Sequence, residues 1–84
     1  MTAAIVPFPV ARRRNLVEAV AAGMLKRSPD QAERHLSFSA DRQAIVLRRR
    51  GIAQSIIDEQ VAAFVAAVRA EVWRQVLTPP QEVR

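Results

Sequence analysis

A chain of 84 residues has room for one small domain, which buries only a modest share of its surface. Zero Cys excludes disulfide stapling and any thiolate zinc site, so stability must come from helix packing or from a second copy of the chain. The formal charge of +5 rests on twelve Arg and one Lys, the balance of a surface built to meet phosphates or carboxylates, although Arg also serves simply as soluble charge. Half the residues count as hydrophobic, but fifteen of these are Ala, so the large apolar side chains are fewer than that figure suggests.

Residues 1–8, MTAAIVPF, cannot open as a helix, because Pro7 and Pro9 push Val6 and Phe8 toward extended geometry. An arm laid over a helical core is the favoured reading, with a linear docking motif as the other. The positive charges follow this short apolar run rather than precede it, so no signal peptide is expected, and no run reaches the length of a membrane span.

The first helix has two possible starts. Pro9 can take the first helical position, giving a helix over 9–27 with Val10, Val17, Val20, Ala21 and Met24 on one face. Alternatively Asn15 caps and Glu18 closes an N-x-x-E box. The longer version is preferred, and it sets Arg12, Arg13 and Arg14 where the helix dipole disfavours cations, which asks for an acidic neighbour or a bound anion.

Ser28-Pro29-Asp30-Gln31 is the clearest local signal. Ser28 caps, Pro29 takes the first position, Asp30 complements the dipole and Gln31 reaches back. The second helix is expected over 29–50, with Ala32, Leu36, Ala40, Gln43 and Leu47 inward, Val46 beside them, and a kink allowed at Ser37 and Ser39. Arg48, Arg49 and Arg50 suit its last turn, and Gly51 is placed to end it with a left-handed residue.

Residues 52–77 contain neither Gly nor Pro and predict an unbroken third helix about 37 Å long. At 100° per residue, Ile57, Val61, Phe64, Val65, Val68, Val72 and Val76 form one stripe. Ala62, Ala63, Ala66, Ala67 and Ala70 line the other side, with Trp73 and Leu77 at its end. The Gly-centred link before this helix is so short that helices two and three must be close neighbours. The whole is an all-α unit of three helices, the last two in a hairpin, with a frayed tail over 78–84.

The segments IVPFPVARRR, QAERHL, LRRRGI and RAEVWRQVL together resemble a family of small alphaproteobacterial proteins known only as a domain of unknown function. The likeness runs from about Ile5 to Leu77, and the I-V-P-F-P opening and the R-R-G-I turn are its most distinctive pieces. It implies a compact helical unit in a bacterial cytoplasm and supplies no residue roles.

Enzymatic readings find little support. One His, no Cys, no Tyr and two distant Gly leave no phosphate-cradling loop, and Glu33-Arg34-His35 lacks a second His for zinc. His35 reads as a surface or half-buried histidine, and Asp58 and Glu59 as a solvated helix start. No cofactor or metal is expected. An interaction protein remains, and two surfaces could serve it. Arg12, Arg13, Arg14, Lys26, Arg27, Arg48, Arg49 and Arg50 could meet an anionic partner, either nucleic acid through non-specific phosphate contacts or an acidic protein. A helix-turn-helix reader around Gly51 is disfavoured, because the helix after the turn is Ala-rich and offers few groups to base edges. Ala63, Ala66, Ala67, Ala70, Trp73 and Leu77 could take a neighbouring helix, and a homodimer is the favoured assembly. An amphipathic helix on a membrane surface is the weakest reading, since the third helix mixes both signs of charge.

Overall fold

The computed structural model describes residues 9–77, so the expected arm and tail lie outside the described residues. Pro9 leads into a single 3-10 turn, Val10–Arg12, closed by Arg12 N–H to Pro9 O at 2.9 Å and Arg13 N–H to Val10 O at 3.0 Å. Three α-helices follow: α1 (Arg14–Leu25), α2 (Pro29–Arg49) and α3 (Gln54–Leu77).

The continuous first helix expected over 9–27 is corrected at Arg13. Its φ of −80° and ψ of 83° are not helical, so the chain turns there and α1 starts afresh. Asn15 is not the cap either, because it lies inside the helix, and Arg13 in the cap position supplies no side-chain acceptor. What holds the break is tertiary. The Val10 amide, which has no acceptor within its own turn, donates to Gln60 Oε1 of α3 at 3.0 Å, and Val10 is buried. Packing on α3 thus overrides the local preference for one long helix.

At α2 the local signals prevail. Ser28 is extended, and its hydroxyl accepts from Gln31 N–H at 3.4 Å, a long and weak bond. The helix runs unbroken past Ser37 and Ser39 and buries Ala32, Leu36, Ala40 and Leu47. Gly51 adopts φ +77°, while Gly51 N–H reaches Arg48 O at 3.0 Å and Ile52 N–H reaches Leu47 O at 3.2 Å. Those two bonds are the Schellman pair, which satisfies terminal carbonyls and turns the chain back sharply.

The turn makes α2 and α3 an antiparallel hairpin. Near its open end Arg69 donates two bonds to Glu33, at 2.8 and 3.0 Å. α1 packs across both helices, and Gly23 lets it come close to α2, since a Cβ there would stand 2.6 Å from His35 Nε2. The core is one cluster, with Val17, Ile57, Phe64 and Val68 the largest side chains that are fully sealed. Val61, Val65 and Val72 pack against it, but Val76 is 55% exposed, so the inward stripe ends a turn earlier than its spacing suggests. Asp58 and Glu59 also fall beyond the first turn of α3, which starts two residues later than expected.

Candidate functional site

The arginines separate into those that hold the fold and those that do not. Glu71 is almost sealed from solvent and sits where core spacing places it, three residues after Val68 and seven after Phe64. Its carboxylate accepts from Arg14 Nη2 at 2.7 Å, from Arg74 Nε and Nη2 at 2.6–3.0 Å, and from Gln75 Nε2 at 3.0 Å. The Arg74 bonds, helped by Gln75 and Arg14 against the opposing effect of burial, hold its pKa down to about 2. The acidic neighbour that the first arginine triplet asks for is therefore Glu71, with Glu18 a looser second at 3.6 Å from Arg14. By charge alone Glu71 reads as one more polar residue of the third helix. A carboxylate at core spacing, in a chain with surplus arginines, is the signal that could have found it.

Arg69 is likewise engaged. Its bonds to Glu33 lower the carboxyl pKa and raise that of the guanidinium. Lys26 and Arg27 follow α1, where Arg27 Nη1 donates back to Gly23 O. They lie across the length of α2 from Arg48, Arg49 and Arg50, about 30 Å away at 1.5 Å per residue. The eight basic residues singled out in the sequence thus do not form one patch.

One residue of each triplet, Arg13 and Arg50, does reach a common cleft. Arg12 and Arg13 follow Val10, which lines that cleft with Leu47 and Arg50, where α2 finishes in Arg48 and Arg49 and is capped by Arg50. All five are exposed, and none forms an ion pair with another described residue. Between the two triplets lies an open cleft of about 400 Å³, lined by Val10, Arg13, Gln43, Val46, Leu47 and Arg50. Its floor is apolar and its rim carries two guanidinium groups from segments far apart in the chain. Such a cleft can take an anionic group at the guanidinium groups while an adjoining apolar part covers Val46, the apolar lining residue that is left partly exposed.

On α3, Ala63, Ala66 and Ala70 are exposed, Ala67 is half-buried against the core, and Trp73 and Leu77 are 64% and 72% exposed. Trp73 is therefore not a core residue. Its ring borders a smaller hollow with Met24, Val72 and the Glu33–Arg69 pair. Among the described residues no group of three or more His, Cys, Asp or Glu is arranged to hold a metal ion, and no helix is long and apolar enough to cross a membrane.

No curated protein and no solved structure matches the chain. A family model does match, over residues 1–81, and covers all three helices, the arginine cleft and the alanine face. The chain belongs to the family of unknown function DUF6074.

Proposed function

We propose that this protein is a non-enzymatic interaction module, a small regulator or accessory factor that engages an acidic segment of a protein partner. The observation that carries this reading is the cleft between the arginine triplets, where Arg13 and Arg50 line one cavity with Val46, whose side chain stands partly in solvent over the buried Val10 and Leu47. A cleft that is both basic and greasy fits a carboxylate-bearing peptide with an apolar side chain better than a bare phosphate chain. Self-association through α3 belongs to the same reading and is developed below.

Non-specific nucleic-acid binding is the second reading, favoured by the exposure of Arg12, Arg48 and Arg49, the neighbours in sequence of the two cleft arginines. It has fewer cations to draw on than the charge suggests, because Arg14, Arg69 and Arg74 are engaged with Glu71 and Glu33.

Fluorescence polarisation with labelled acidic peptides, with and without leucines among the glutamates, tests the first reading against a random duplex. The expected outcome is preference for the leucine-bearing peptide, weakened about tenfold by Arg13→Ala with Arg50→Ala, a loss of roughly 1.4 kcal/mol. Tighter binding of the duplex at 50 mM salt, with a log–log salt slope near −4 to −5 for about five phosphate contacts, would replace it with the second.

A further inference from the structure

The outer face of α3 carries a regular pattern that the fold leaves unused. Ile56, Glu59, Ala63, Ala66, Ala70, Trp73 and Leu77 follow one another at intervals of three and four throughout, the 3.5-residue repeat of a coiled-coil seam. All seven are exposed, and the seam lies opposite Phe64 and Val68. Exposed alanines alone would mean only a good helix former. Here the seam also ends in large apolar side chains at both extremities, Ile56 at the start and Trp73 and Leu77 at the finish.

From this face we infer that α3 pairs with α3 of a second copy, antiparallel, in a tight alanine-centred coil related by a two-fold axis. Charge and size both select that occupant and that direction. Asp58 and Glu59 are in the first half of the helix, and Arg69 and Arg74 in the second. Glu33 takes up Arg69, and Glu71 is shared by Arg74 and Arg14, so the second half keeps only a small positive excess. Antiparallel pairing sets that excess beside Asp58 and Glu59, whereas parallel pairing sets those two carboxylates beside their own copies. Arg74 uses Nε and Nη2 on Glu71, which leaves Nη1 uncommitted for such a contact.

Size then fixes the register. With Ala63 against the second copy's Ala66, Trp73 lands on the second copy's Ile56, and Leu77 passes the start of its α3. Glu59 then lies beside the second copy's Ala70, with Arg69 and Arg74 on either side of it. The alanines at the centre permit axes at the close end of the 8–10 Å range, and the bulky pairs close both ends of the seam. Two-fold symmetry makes each of these contacts twice. The surface is distinct from the arginine cleft, so either proposal can fail alone.

The chain supplies its own probe, since Trp73 is the sole Trp and there is no Tyr. Sedimentation equilibrium should show a dimer at high micromolar concentration, with Trp73 emission shifting to the blue as concentration rises. Ala66→Glu, at an exposed position, should keep the circular dichroism of the parent while raising the dimer dissociation constant about tenfold or more. Because the chain lacks Cys, Ala63→Cys and Ala66→Cys chains can be mixed under mild oxidation in the Trp73-bearing protein without background. Mixed disulfides should then exceed the share that random pairing of equal amounts would give. A strict monomer, emission that stays red at every concentration, or a dimer indifferent to Ala66→Glu would overturn the proposal. Dominant homotypic disulfides would overturn the antiparallel register.

Discussion

The two faces of α3 divide the work of the molecule between them. The inner face places Ile57, Phe64 and Val68 at spacings of seven and four and seals each one. It also takes in a single charge, Glu71, and surrounds it with donors from α1 and α3. The outer face carries alanines along its middle, and its large side chains stand in solvent at the ends. One helix thus combines a side committed to its own chain with a side of nearly equal apolarity that its own chain leaves open. Burial, rather than apolar content, distinguishes them, and that separates the folding surface from the surface proposed for pairing.

The contrast can be broken most severely from inside. Phe64→Ala should cost about 3–5 kcal/mol in urea or thermal unfolding, enough to unfold much of so small a protein. A loss below about 1 kcal/mol would mean that Phe64 is not the keystone its burial indicates.

Next comes the buried carboxylate. Its pKa is held at about 2, below the ordinary value of 4.5, so ionised Glu71 contributes its full stabilisation above the ordinary value. That contribution is lost as pH falls from about 4.5 through about 2, when the folded protein must take up the proton. Glu33, also lowered, adds in the same sense. Melting temperature should therefore fall steeply across that window, and Glu71→Gln should be less stable at neutral pH and flatter in acid. An unchanged acid profile in Glu71→Gln would remove Glu71 from this role.

The inner face works only while α1 and α2 lie close, and Gly23→Ala tests that approach. The new methyl group meets the far end of the His35 ring, which must turn aside, while alanine suits the helix interior better than glycine by about 1 kcal/mol. The net change should therefore stay within about 1 kcal/mol, and pairing it with His35→Ala should remove the clash. Smallest of all is Trp73→Ala, expected to change the stability of the monomer by no more than about 0.5 kcal/mol, as for other surface substitutions. A large loss in a dilute sample would show that Trp73 supports its own chain after all.

Sequence reading recovers what local physics decides. Ser28-Pro29 and Gly51 mark their helix ends because caps act through backbone groups a few residues away, and the unbroken third helix follows from the lack of Gly and Pro. Apart from the late start of α3, the failures are long-range. The break at Arg13 depends on Gln60, and the burial of Glu71 depends on Arg14, partners that periodicity does not connect. The meeting of the two arginine triplets across one cleft is hidden for the same reason: it is created by the hairpin and by the turn that lays Val10 on α3.

The walls of that cleft have a thermodynamic consequence. Arg13 and Arg50 are far apart in the unfolded chain and become neighbours of one cavity only when the hairpin closes. An occupant that needs both guanidinium groups has nowhere to sit on the denatured polypeptide, so occupancy and folding are linked equilibria. Ligand in hundredfold excess over its dissociation constant would add about 2.7 kcal/mol to the folded form. A partner for this protein can therefore be sought by the heat it lets the protein withstand, whatever that partner does elsewhere in the cell.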